Sequence, residues 1–324
     1  MKPIALTMGD PAGVGPEIVM KLMAEPGLNI PVFVIGDVGV LNRAAMQCNL
    51  KLEAREIELS EFRPDAPYVQ VLAVTELPDD FALGKVQAQS GQAAFDYVKV
   101  GVEAALAGEA SALVTAPINK EAMRLAGLPY PGHTEILADL SGCDDYTMMM
   151  SSDDLRVVLV TIHESLKNAI ELITTENILR SIRLANTAML KAGIAQPRIG
   201  VAGLNPHAGE NGLMGTEEEE IIQPAVEKAV AEGIAASGPW PPDTIFLRAR
   251  QGHFDVVIAQ YHDQGLIPFK YLGLERGVNV TIGLPFVRTS VDHGTAFDIV
   301  GRGIADHRSL LVALRHAVRM RGSE

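Results

Sequence analysis

The chain alternates short apolar runs with longer stretches in which apolar positions recur every three or four residues. Runs of the first kind lie at 4–8, 31–35, 69–74, 112–115, 198–202, 256–259 and 278–282, and each reads as a buried strand. Two more, at 147–150 and 156–161, flank a polar turn at 151–154 and read as a hairpin. Helical spacing appears at 18–23, 40–48, 84–107, from 136 onward, at 166–172 and at 176–192. Within 84–107 the small residues Ala93, Ala94, Gly101, Ala104 and Ala105 predict close packing against a neighbouring element. Strands that alternate with helices, with no internal repeat or low-complexity segment, predict an α/β fold with a largely parallel sheet. A length of 324 residues suits two α/β lobes.

Composition narrows the partners. Apolar residues make up 48% of the chain and charged residues 21%, ordinary values for a globular protein. The net charge of −13 opposes nucleic acid and anionic membrane surfaces, so neither is expected as a partner. An anionic substrate would need a local cluster of cations. The two cysteines, Cys48 and Cys143, form neither a disulfide framework nor a CxxC metal motif, as expected of a cytoplasmic protein. No run approaches the ~20 apolar residues of a membrane span, and the first residues lack the apolar core of a signal peptide.

Chemistry is expected where strands end, because ligands of open α/β sheets bind at the carboxyl ends of strands. The run 256–259 ends in Tyr261-His262-Asp263-Gln264-Gly265, and His163 and His207 likewise follow apolar runs by one to five residues. Singly, each histidine reads as a hydrogen-bonded core residue. Together, three imidazoles with one open position suit Zn²⁺ or a similar divalent ion acting as a Lewis acid. His133 and Thr134 stand at a helix start beside free backbone N–H groups, which makes either a phosphate cradle or a plain cap. Lys270, Asn279 and Arg288 add two cations and an amide near strand ends, and Lys120 follows another. The first strand breaks at Gly9-Asp10-Pro11-Ala12-Gly13-Val14-Gly15-Pro16-Glu17 before a helix, the context of an anion site. That turn fits neither GxGxxG nor GxxxxGK[ST], and Asp10 and Glu17 would repel phosphate, so a tight turn is the competing reading. The acidic run Glu217 to Glu220 reads as a solvated helix start. Asp243 sits in a Pro-Pro-Asp-Thr turn as a possible cap.

The run Asp292-His293-Gly294-Thr295-Ala296-Phe297-Asp298 through Gly303 resembles the segment of isocitrate and isopropylmalate dehydrogenases that holds the adenosine part of NAD(P). His293, Gly294, Thr295 and Asp298 are its candidate cofactor residues, with Thr295 placed at a helix start.

With GDPAGVGPE at the start, GHTE at 132, LNPHAGENG at 204, YHDQG at 261 and GVNVTIGLPFVRTSVDHGTA at 277, nearly the whole chain resembles the 4-hydroxythreonine-4-phosphate dehydrogenase family. The resemblance implies a two-lobed, isocitrate/isopropylmalate dehydrogenase-like fold around an active-site cleft. It implies His163, His207 and His262 as ligands of one divalent metal (Zn, Mg, Mn or Co), and His133, Thr134, Lys270, Asn279 and Arg288 as substrate-binding residues. It also implies NAD or NADP as cofactor, and a homodimer that shares its active site. The lobes are expected at 1–130 with 265–324 for the nucleotide, and at 131–264 for metal and dimerisation. His133 and Asp243 are candidates for proton transfer.

The implied reaction is oxidation with decarboxylation of a 4-phosphorylated 3-hydroxy acid, foremost 4-hydroxy-L-threonine 4-phosphate in pyridoxal phosphate biosynthesis. Segments such as GKVQAQSGQAAF and PPDTIF look closer to the branch acting on D-threonate or D-erythronate 4-phosphate, which yields dihydroxyacetone phosphate. A relative that oxidises a terephthalate dihydrodiol lacks GHTE and ranks third. The readings from other classes are a non-catalytic phospho-acid-binding protein and a metal-dependent hydrolase or lyase. Both would leave the segment from His293 to Asp298 idle.

Overall fold

The computed structural model describes residues 2–272 and 277–321. In chain order the first elements are β1 (Ile4–Thr7), α1 (Gly15–Met23), β2 (Val32–Gly36), α2 (Val38–Gln47), β3 (Ala54–Glu56) and β4 (Val69–Ala73). Next come α3 (Ala88–Leu106), β5 (Leu113–Thr115), α4 (Lys120–Leu125), α5 (His133–Ser141), β6 (Thr147–Ser151) and β7 (Arg156–Leu159). They are followed by α6 (Leu166–Leu172), α7 (Thr175–Lys191), β8 (Ile199–Ala202), α8 (Gln223–Ala231), β9 (Ala236–Trp240) and α9 (Ile245–Arg250). The last are β10 (Val256–Ala259), α10 (His262–Tyr271), β11 (Val278–Ile282), β12 (Arg288–Ser290) and α11 (Arg308–Met320).

The chain divides into two compact units. The first holds 1–144 and 284–318, and its strands run in the order β3-β4-β2-β1-β5-β12, every pairing parallel. β1, β2 and β5 are buried at every residue. That explains why they read as unbroken apolar runs rather than alternating ones: helices cover both faces of a parallel sheet.

The second unit holds 145–283 with 319–323, and its strands run β11-β6-β7-β10-β8-β9. The expected hairpin forms, with Met150 opposite Val157 and Ser152 Oγ accepting from the N–H groups of Asp154 and Leu155. β11 and β6 are also antiparallel, whereas β7, β10, β8 and β9 are mutually parallel. The core here is Val157, Leu159, Val257, Ala259, Leu266 and Phe269 with Ile245 and Phe246.

The unit boundaries differ from the lobes expected at 130 and 265. α5 packs on α3 and stays with the first unit, while α10 and β11 pack on β7 and β6 and stay with the second. Pairing partners decide membership, and residues 265–283 find theirs far back in the chain. β3, β9, β12, α10 and α11 were not among the expected elements. β9 is Ala-Ser-Gly-Pro-Trp, whose composition spells a turn; backbone pairing with β8 makes it a strand.

Candidate active site

In the second unit, β7, β10 and β8 are parallel neighbours in that order, so the chain leaves all three at one edge. His163, His262 and His207 follow these three strands respectively. The pairing continues past the strand ends: Val160 N donates to Ala259 O at 2.9 Å, and Thr161 Oγ1 to Gln260 O at 2.8 Å. Gln260 Nε2 donates to Ala202 O at 2.6 Å and Gln264 Nε2 to Gly203 O at 2.8 Å, which ties the exit of β10 to that of β8. Gln264 belongs to the polar run singled out in the sequence, whereas Gln260, directly before that run, was missed.

His262 is the first residue of α10, three residues beyond the end of β10. Gly265 lets this helix settle on the sheet, because a Cβ there would lie 2.6 Å from Leu159 Cδ2 and 2.8 Å from Val157 Cγ1. The rings of His163 and His262 face each other, centroids 5.9 Å apart and planes at 40°. Asp263 Oδ1 lies 2.7 Å from His262 Nδ1. This carboxylate fixes the tautomer that leaves Nε2 as a lone-pair donor, the usual support of a metal-binding imidazole. The pair lines a cavity of about 330 Å³ with Ile162, Glu164, Leu166, Ala169, Tyr261 and Asp263. A larger cavity of about 630 Å³ in the first unit, lined by Glu76, Gln89, Gln92 and Asp96 among others, carries no imidazole, lysine or arginine.

His207 is exposed on a loop whose residues from His207 to Gly212 all have positive φ. Among the described residues, no group of three or more His, Cys, Asp or Glu side chains is gathered to hold a metal ion within one chain. The donor chemistry of the His163–His262 pair fits a divalent cation, and His207 does not complete the set from the same chain. Asp243 is exposed in the turn after β9, at the same strand edge. Lys270 stands in the last turn of α10, roughly 12 Å along the helix axis from His262. Asn279, on β11, donates Nδ2 to Met148 Sδ at 3.1 Å, and its Oδ1 is buried with no hydrogen-bond partner.

The first unit builds a different corner. Arg288 opens β12 parallel to β5; it is 2% exposed and donates Nη2 to Thr115 Oγ1 at 2.7 Å. Burial pulls its pKa down to about 9, and the carboxylate of Glu135 opposes that shift. A guanidinium stays charged at neutral pH with such a value. His133 and Thr134 are the first residues of α5, after Gly132 as N-cap, and no side chain caps this end. The helix start therefore keeps its backbone donors available, and Thr134 is not its cap. Burial holds His133 well below the usual imidazole range, reinforced by the positive charges of Arg288 and Lys120. Its Nε2 is buried without a partner. A neutral imidazole, a buried guanidinium, a lysine and a helix N-terminus lie near one another here, a donor set whose chemistry suits an anion.

The 292–303 segment forms turns, not the helix start expected at Thr295, because Ala296 takes φ 44°. The Gly-rich turn after β1 supports it. Val14 N donates to Thr295 O at 3.0 Å, Gly301 N to Glu17 Oε1 at 2.6 Å, and Lys21 Nζ to Gly303 O and Ala305 O. Glu17 and Lys21 are thus committed to the segment, and of the two readings of that turn the structural one holds. His293, Gly294 and Asp298 are exposed, while Thr295 is buried. A Cβ on Gly294 would meet nothing within 4 Å, so packing within the chain does not require glycine there. Open space beside a bare backbone suits close approach by a cofactor.

The profile of the family described as "Pyridoxal phosphate biosynthetic protein PdxA" matches residues 29–317. The chain is 52% identical to a 4-hydroxythreonine-4-phosphate dehydrogenase of Beijerinckia indica, over 98% of this chain and 95% of that one. It is 47% identical to a D-threonate 4-phosphate dehydrogenase of Salmonella typhimurium, over 98% and 99%. The crystal structure of a 4-hydroxythreonine-4-phosphate dehydrogenase from Klebsiella pneumoniae superposes with a TM-score of 0.93 at 43% identity, covering 99% of this chain and all of that one.

Proposed function

The chain belongs to the PdxA family and is a dehydrogenase acting on a hydroxyl group, and from that premise we propose that it oxidises and decarboxylates 4-hydroxy-L-threonine 4-phosphate with NAD or NADP and a divalent metal. The observation that carries this reading is the parallel trio β7, β10 and β8, which delivers a histidine from each strand to one sheet edge.

We assign the metal to His163, His207 and His262, contributed across two copies of the chain. A homodimer accounts for His207 standing apart from the other two within one chain. When bound, the ion supplies a Lewis acid for the oxygen that passes from hydroxyl to carbonyl. Asp263 orients His262. The phosphorylated acid is assigned to His133, Thr134, Lys270, Asn279 and Arg288. Arg288 and the start of α5 neutralise the anion, and His133 in its neutral form accepts or donates one hydrogen bond. Asn279 Oδ1, buried and unpartnered, accepts one from the substrate.

His293, Gly294, Thr295 and Asp298 would hold the adenosine end of the nicotinamide cofactor, which would supply the acceptor for hydride from the carbinol carbon. The hydroxyl proton goes to a base, for which Asp243 and His133 are the candidates. The β-keto acid then breaks its bond to the carboxylate carbon. Carbon dioxide leaves, and the electron pair remains as an enolate that takes up a proton. Lys270, in the last turn of α10, offers a charge to the carboxylate or phosphate. A cytoplasmic location is part of the same proposal, supported by the biosynthetic role printed for the family.

D-threonate 4-phosphate is the second reading, favoured by the Salmonella relative that covers the same length. NADH or NADPH formation by metal-loaded protein decides between them. Preference for the amino acid supports vitamin B6 synthesis, and preference for D-threonate or D-erythronate 4-phosphate supports sugar-acid catabolism. Turnover of none would sink both.

A further inference from the structure

The acidic run at 217–220 reads in sequence as a solvated helix start, and one of its members is not solvated. Glu218 is 2% exposed. It opens a π-helical turn, Glu218–Ile222, that runs directly into α8. Its Oε1 accepts from the N–H groups of Leu204 and Asn205, both at 2.7 Å, and its Oε2 from Asn205 Nδ2 at 2.9 Å. The neighbouring Glu217 takes the second hydrogen of the same amide at 2.7 Å. Both backbone donors lie at the root of the loop that carries His207.

That loop needs holding. His207, Ala208, Glu210 and Asn211 have φ of 54°, 55°, 46° and 55°, and Gly209 between them has 80°. Each non-glycine residue in this region costs about 1–2 kcal/mol, so a run of them persists only where its surroundings impose it. The Glu218 carboxylate meets this loop at more than one point. A Cβ on Gly203 would lie 3.1 Å from Oε1, and one on Gly209 2.8 Å from Oε2, so the loop is wrapped onto the carboxylate at both ends. A π-turn is the local distortion that brings a helix-start side chain into such a position.

We propose that Glu218 is the positioning residue for His207: it holds the loop in its left-handed path and thereby sets where that imidazole is presented to the metal. The proposal rests on His207 being a metal ligand. Glu218 touches neither metal nor substrate and acts through the loop alone.

The test is Co²⁺ binding, by chelator competition and by the visible absorption of the bound ion, in four single variants and one double. Glu218→Gln keeps the length and one acceptor oxygen, and is expected to bind Co²⁺ close to wild type. Glu218→Asp and Glu218→Ala lose the reach, and are expected to weaken binding about tenfold and to change the spectrum. His207→Ala is expected to lose most affinity, and adding Glu218→Asp to it should cost nothing further, because the effect passes through His207. Should Glu218→Ala not fold, the contrast between Asp and Gln still decides. Equal affinity and spectra for Asp, Gln and wild type overturn the proposal. So does an Asp effect that persists in full without His207. If His207→Ala itself binds Co²⁺ normally, the metal assignment falls and the proposal with it, an outcome separable from the other two.

Discussion

The two units handle charge in opposite ways. The anion corner of the first unit is dry: Arg288 is buried, the Nε2 atom of His133 is buried, and both groups are displaced from their ordinary protonation behaviour by that burial. The histidine edge of the second unit is open, with His163 and His207 exposed and the side chain of His262 39% exposed. A dry corner is preorganised, since a cation already stripped of water strengthens any anion that reaches it. An open edge leaves its imidazoles in contact with solvent. One region buries its cation within a single unit, and the other presents its donors at the surface.

The largest effect should come from removing the buried cation. Arg288→Met keeps volume without charge and should raise the KM for the phosphorylated substrate, at a cost of about 2–5 kcal/mol in kcat/KM. Nicotinamide affinity measured separately should be unchanged. An unaltered KM would show that the dry corner does not bind the anion.

Asp10 tests the same dryness. It is fully buried, and burial raises its pKa from 3.8 to about 6 against the opposing Ala12 N–H and Ser90. The folded state then binds this proton more tightly than the unfolded state. Stability contributed here is greatest below about pH 4, declines as pH rises through 4–6, and is flat above. Roughly two pKa units correspond to about 3 kcal/mol of cost at pH 7. Asp10→Asn, which retains the acceptor for Ala12 N–H, should recover part of that and flatten the slope in urea titrations between pH 4 and 6. A slope identical to wild type would assign it to other groups.

The open edge should respond more mildly. Asp263→Asn should weaken Co²⁺ binding about tenfold while leaving sulfate binding intact. A smaller effect still is expected from pH at the dry corner. Burial and the positive charges of Arg288 and Lys120 hold His133 neutral, so sulfate affinity should change little as pH falls from 8 to 7, and His133→Gln, a neutral side chain that also hydrogen-bonds, should keep most of it. A steep gain in affinity over that range would show that His133 meets the anion as a cation.

Much of this site was legible in the sequence. His163, His207 and His262 stand just past apolar runs, and parallel strands have a defined edge to which such residues go. Arg288 and His133 were legible as chemistry but not as neighbours, since 155 positions separate them and only the β5–β12 pairing and the α3–α5 packing bring them to one unit. The acidic run at 217–220 was misleading: four identical side chains have one composition, and burial singles out Glu218 because the loop root needs an acceptor. The Gly-rich turn after β1 could have held an anion or a segment of chain. Glu17 and Lys21 decide for the chain, through bonds to residues more than 280 positions away.

By itself the sequence determined the α/β class, the family and the inventory of reactive groups, because periodicity and residue type are local properties that need no partner. Tertiary structure alone decided which strands join which unit, which carboxylates are buried, that Thr295 lies in a turn and starts no helix, and that His207 stands apart from His163 and His262 within one chain. Those outcomes depend on backbone pairing and on exclusion of water between segments far apart in sequence, and no local pattern encodes either.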